Sequence, residues 1–308
     1  MRAAAVILVL SVALAGEARA FDDFEGTRAV GMGGATRAFA LGDSALMLNP
    51  SGMSLGKAYN VEGAYAYGER LGEHFLHASV VDSTSETNIA GGLYYTYHAE
   101  EHPTGAIPGH GHEAGFALSI PAGKVFTLGA TLKWFRFEGS DNGLAVSDPA
   151  ARGGGLTFDV GATVRPAPMV SIGLVGTNLR DLGPEQASPL VGYGVAYSPL
   201  PQLVVDVDGV TYLRDSSRTR TGVRAGGEAT VAQRVSVRLG GGTDPRVGVG
   251  YLAAGASVLS EIGAVDVGVR GDLFPYGTGT TRDLFLGVSL RLFVPGAVAS
   301  AQAASSPP

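Results

Sequence analysis

Asp283 to Phe293 reads DLFLGVSLRLF, and this stretch decides the fold. Leu284, Leu286, Val288, Leu290 and Leu292 fall on one side of an extended chain; Asp283, Gly287, Ser289 and Arg291 fall on the other. A period of two is the signature of a strand with one apolar face. The same alternation sets Leu156, Phe158, Val160, Ala162 and Val164 against Thr157, Asp159, Gly161, Thr163 and Arg165. Val265, Val267 and Val269 alternate with Asp266, Gly268 and Arg270 in the same way.

A soluble sandwich shares this period, so the connections have to separate the two. About fourteen such segments follow Ala58, an even number within the range of bacterial membrane barrels. Long connections (Ala99–His110, Gly139–Gly153, Asp181–Ser188, Arg214–Thr219) alternate with short ones (Pro121–Gly123, Pro166–Met169, Ser198–Leu200, Ala232–Gln233, Ser260–Glu261). Large outer loops and tight periplasmic turns are the pattern of an up-and-down barrel, and an even count returns both ends to the periplasm. Beyond residue 20 no apolar run approaches the ~20 residues of a spanning helix, and a lipid environment leaves closed barrels as the alternative. The expected fold is all-β: an antiparallel up-and-down transmembrane barrel. Trp134, Tyr94, Tyr95 and Tyr97 sit near outer strand ends, where an aromatic girdle belongs.

Composition agrees. Charged residues are 16% and hydrophobic ones 45% of 308 residues, with 47 glycines. The net charge of -6 leaves no basic stripe for nucleic acid. There is no cysteine, which excludes disulfides, thiolate nucleophiles and lipoprotein processing. Arg2, the apolar run Ala3–Ala15 and Ala18-Arg19-Ala20 predict a cleaved signal peptide over 1–20, with a membrane anchor as the alternative. The expected order is signal peptide 1–20, N-terminal hatch or plug segment 21–57, barrel 58–294 and a disordered periplasmic tail 295–308, which lacks apolar periodicity.

The segment ahead of the barrel, Gly26 to Met53, reads GTRAVGMGGATRAFALGDSALMLNPSGM. Its GxxAxGMGGA and GDSAxxxNPxGM patterns resemble the N-terminal hatch of FadL-type outer-membrane transporters and of their shorter PorV-like relatives. The resemblance implies a hatch folded into the lumen, with NPSG where NPAG is usual. Gly287, Leu290, Leu292 and the closing Phe293 are similar to the C-terminal insertion signal of these barrels, with Phe285 at a position that signal keeps polar. The transporter family further implies a kinked third strand that opens the wall; Gly91-Gly92 lies in the third segment here.

Gly31, Gly33 and Gly34 permit close backbone approach, and Asp43, Asn49 and Pro50 hold turns; the segment is read either as a plug that shifts or as one that stays. By parity the lumen receives Lys133, Asp159, Arg165, Asp206, Asp208, Arg224, Glu228, Arg238, Asp266, Arg270, Asp272 and Arg291. Their mixed signs favour a salt-bridged, filled interior over an ion-selective pore. Asp206 and Asp208 before Gly209 lack the downstream ligands of a calcium loop. His98, His102, His110 and His112, with Glu100, Glu101 and Glu113, collect in or beside one loop, so they are weak candidates for a zinc-type site.

No G-x-S-x-G elbow is present and no enzyme activity or cofactor is expected. Two functions stay open. One is FadL-like passage of small hydrophobic molecules across the outer membrane of a Gram-negative bacterium. The other is a PorV-like scaffold that binds other proteins, favoured by loops shorter than the transporter family's. Expected partners are outer-membrane lipid, the barrel-assembly machinery, and either a hydrophobic small molecule or a protein.

Overall fold

The computed structural model describes residues 24–69, 72–84, 89–101, 109–138, 152–182, 187–213, 220–246, 248–275 and 283–293; the expected leader and tail lie outside them. Fourteen antiparallel strands close into one barrel. They are β1 Tyr59–Gly68, β2 Glu73–Asp82, β3 Ala90–Glu100, β4 His110–Pro121, β5 Phe126–Glu138, β6 Arg152–Ala167 and β7 Val170–Thr177. The second half comprises β8 Leu190–Leu200, β9 Leu203–Tyr212, β10 Arg220–Val231, β11 Val235–Asp244, β12 Val249–Leu259, β13 Gly263–Pro275 and β14 Leu284–Phe293. Closure runs from Asn60 opposite Phe293 to Gly68 opposite Phe285, which leaves no sheet edge.

Alternation explains the wall. In β14, Leu284, Leu286, Val288, Leu290 and Leu292 are exposed on the outside while Phe285 and Ser289 are buried inside. A continuous apolar exterior is unfavourable in water and matched to hydrocarbon. Phe285 departs from the polar position of the insertion signal because it fills the lumen, 5.7 Å from the Phe75 ring.

The strands run further than the turn signals suggest. Pro121, Pro166 and Pro199 lie inside strand ends, not in the connections. The ladders shift register between Val164 and Ala167 and between Tyr197 and Leu200. Proline lacks the N–H a ladder needs, so pairing skips past it.

Across β1–β5 the end remote from both termini carries outward aromatic and polar side chains. Tyr97, His112 and Arg136 are successive cross-strand partners, and so are Tyr95, Ala114 and Trp134. The Tyr65 hydroxyl lies 2.7 Å from His74 Nδ1, and that of Tyr95 2.6 Å from His112 Nδ1. Tyr94 does not join this band. It points inward, 5% exposed, and donates to Glu113 Oε1 at 2.5 Å, because its parity is opposite to that of Tyr95.

The third strand shows no opening. Gly91 and Gly92 pair continuously with β2 and β4. Gly92 instead makes room for Leu46 from the N-terminal segment: a Cβ there would stand 2.6 Å from Leu46 Cδ2.

Candidate functional site

Residues 24–57 lie within the barrel, folded as a short helix Thr27–Gly31, a second helix Asp43–Leu48 and a 3-10 turn Pro50–Leu55. Such short helices have little stability of their own, so the wall must hold them. It does so with glycines on strands and with buried charges.

The helix Thr27–Gly31 rests on β12 and β13, where Gly31 meets Gly255 and Thr27 meets Gly268. The chain then turns through Gly33 and Gly34, at φ 65° and 73°, where an L side chain is strained. A Cβ on Gly33 would stand 2.5 Å from the Gly241 nitrogen, and the Tyr251 hydroxyl donates to the Gly33 carbonyl at 2.9 Å. Beyond it, the backbone N–H groups of Thr36 and Arg37 both donate to Asp208 Oδ2 at 3.0 Å, and Arg37 Nη1 reaches the same oxygen at 3.4 Å. Three donors thus converge on one oxygen of Asp208. Ser171 Oγ donates to the Ala38 carbonyl at 2.6 Å.

Asn49 and Pro50 fasten the far end. Asn49 Nδ2 donates to the Arg37 carbonyl at 2.8 Å, while Asn49 Oδ1 accepts from Ser51 Oγ at 2.7 Å and from its N–H at 3.3 Å. Asn49 thus caps the 3-10 turn, with Pro50 at its first position. Pro50 and Ser51 press on Gly129, and Asn49 on Gly161. Asn49→Ala removes the cap and strands buried partners, so it is expected to weaken seating of the segment by about 2 kcal/mol. Faster amide exchange at Ser51 and Gly52 than in the wild type checks this; unchanged exchange contradicts it.

Charged pairs complete the lining. Arg28 Nε contacts Glu228 at 3.0 Å, and Glu228 also pairs with Arg238. Arg238 and Arg291 converge on Asp266 at 2.9 and 2.8 Å. Lys133 lies 3.0 Å from Asp159; Arg270 lies 3.3 Å from Asp272. Arg224 grips both oxygens of Glu25 at 2.5 and 2.7 Å, and Arg37 adds a third contact at 3.2 Å. Asp206 is fully buried beside this group. Arg165 stands apart, at the end of β6, where it donates to the Pro168 carbonyl at 3.1 Å. Parity did not single out Glu62, Glu73, His77 or Asp244, although all four are buried inside. Glu25, Arg28 and Arg37 also escaped notice, because no periodicity marks them.

The candidate metal residues do not converge. His98 faces inward, stacked 5.7 Å from Phe137, whereas His110 and His112 are on strand β4 with opposite parity. A strand places neighbouring parities on opposite faces. His102 lies outside the described residues, and among those described no group of three or more His, Asp or Glu is placed to hold a metal.

Two segment carboxylates respond to their surroundings. Burial alone pushes Glu25 up, but the Arg224 and Arg37 guanidiniums outweigh it and hold the carboxyl below its ordinary 4.5. Burial likewise opposes ionisation of Asp43, and the His77 imidazole, 2.8 Å away, outweighs it to leave the carboxyl below 3.8. A depressed pKa contributes stability that is present above the ordinary value and lost as pH falls through the depressed one. Docking of the segment is therefore expected to be intact at about pH 7 and to loosen towards about pH 3. Amide exchange over residues 30–37, corrected for intrinsic rates, reads this; equal protection at both values contradicts it.

On the side of the segment remote from the termini is a cavity of about 80 Å³, bordered by Phe24, Phe75, His98 and Phe135 and by Arg37 and Lys133. At the opposite end a recess of about 330 Å³ is bordered by Phe39, Arg165, Glu228 and the 201–202 turn. Arg37 and Phe39 thus face different cavities across a strip of three residues.

No family model and no curated protein sequence matches the chain. Solved structures do. A monoaromatic hydrocarbon channel, CymD, superposes with a TM-score of 0.67 at 14% identity, over 89% of this chain and 99% of its own. The toluene transporter TbuX of Ralstonia pickettii gives 0.64 at 13% identity, over 90% and 99%. A FadL homologue of Pseudomonas aeruginosa gives 0.63 at 12%, over 90% and 99%. The chain has the fold of the FadL-type hydrocarbon channels.

Proposed function

We propose that this barrel passes small hydrophobic molecules across a bacterial outer membrane. The observation that carries the reading is the pair of cavities separated by the strip from Arg37 to Phe39. A shift of that strip joins them, and it is held by polar contacts to single wall residues (Asp208, Ser171), not by a continuous ladder. The solved neighbours that are a monoaromatic hydrocarbon channel and a toluene transporter support the same reading and do not favour the scaffold alternative. In this reading residues 1–20 direct export, the remote end faces outward and no reaction is catalysed.

Uptake of radiolabelled toluene and phenol by cells with and without the protein tests it. Faster uptake in cells that carry the barrel, with uptake of a small sugar unchanged, is the expected result. Equal uptake of both aromatics, with the folded barrel present in the outer membrane, overturns the proposal.

A further inference from the structure

The smaller cavity has two unlike walls. One is aromatic. Phe24 stacks on Phe75 at 6.1 Å, Phe75 meets His98 at 5.7 Å, and His98 stacks on Phe137 at 5.7 Å. Rings packed on one another at these spacings offer a further aromatic ring edge contacts where they border the cavity. The other wall is charged but balanced. Arg37 pairs with Glu25 at 3.2 Å, and Lys133 lies 3.8 Å from Glu113 and 3.0 Å from Asp159.

Those walls constrain the occupant in three ways. A plain hydrocarbon would cover the Lys133–Glu113 pair without replacing its access to hydrogen-bonding partners, and covering polar groups without replacement is unfavourable. An ionised ligand would have to separate an existing buried pair, which is also unfavourable. A neutral ring bearing a hydroxyl satisfies both walls. Its ring packs against Phe75 and His98, and its hydroxyl donates to Glu113, whose carboxylate has acceptor sites beyond those used by Tyr94 and Lys133. Volume is the third constraint. The cavity of about 80 Å³ is smaller than the ~150 Å³ known to hold benzene in an apolar core, so a single ring enters with modest side-chain movement and a larger molecule does not.

The geometry points to a neutral, single-ring aromatic with a hydrogen-bonding substituent, of the phenol type, as the ligand of this cavity. The inference rests on the transport reading and narrows it; toluene, named for one structural neighbour, lacks the group that the charged wall requires.

Calorimetric titration of the full-length barrel in detergent with phenol, toluene and benzoate, corrected for partition into empty micelles, tests this. Phenol is expected to bind at least about tenfold more tightly than either of the others. Glu113→Gln, which keeps the shape, is expected to shrink the phenol-over-toluene ratio several-fold. Toluene binding as tightly as phenol overturns the ligand class and leaves the transport reading standing. Benzoate binding most tightly overturns neutrality alone. No binding of any of the three by folded barrel overturns both. An unchanged ratio in Glu113→Gln shows that Glu113 does not read the substituent and overturns its assignment.

Discussion

Asp208→Ala is expected to lower amide protection at Thr36 and Arg37 by about a hundredfold to a thousandfold. The reason is local. A single carboxylate oxygen accepts from both backbone N–H groups at 3.0 Å and from the Arg37 guanidinium at 3.4 Å. Asp208 is 1% exposed, so water does not replace it readily. Removing it strands two buried N–H donors, at about 1–3 kcal/mol each, while Arg37 keeps its contact to Glu25. Asp208→Asn separates the contributions. An amide oxygen still accepts from the two N–H groups, so the asparagine variant should keep part of the protection lost by alanine. Hydrogen exchange read by mass spectrometry distinguishes the three proteins. Equal protection in all three would mean that the segment is held elsewhere, and the gate would have to be sought there.

Gly240→Val is the second large effect, and it works through shape. Gly240 lies on the inner face of β11, where a Cβ would run into the backbone of Met32 and Gly33. Backbone on both sides cannot swing away as a side-chain tip can. Overpacking of this kind costs about 1–3 kcal/mol or more. The expected outcome is a barrel that still closes, with residues 31–35 lifted from β10 and β11 and aromatic uptake altered at least several-fold. Gly63→Val is the matched control. Gly63 is also in a strand, but it faces outward and a Cβ there meets nothing within 4 Å. It should behave as wild type in both exchange and uptake. A Gly240→Val protein with wild-type exchange across Met32 to Ala35 contradicts the close seating.

These substitutions show why the wall was legible in the sequence and the site was less so. DLFLGVSLRLF carries its fold in its own alternation, because lipid on one side and a lumen on the other act on every residue of a strand. Gly240 carries no such mark. It is one glycine among 47, and only the nearness of Met32, over two hundred positions earlier, gives it a role. Tyr94 and Tyr95 look alike by composition, yet one closes a lumenal hydrogen bond and the other faces outward. The histidines show the reverse error. Crowded in sequence, His98 and His112 are placed on opposite faces of the wall by strand parity. Phe24 and His98 meet through Phe75 because the N-terminal segment crosses the lumen, and no local pattern foretells that crossing.

The most direct measurement of the central claim is anomalous diffraction from crystals of the full-length barrel grown with 4-bromophenol. A bromine peak inside the barrel, among Phe75, His98 and Lys133, is the result this account expects. Bromine only on the outer, lipid-facing surface, with the cavity unchanged, would contradict it.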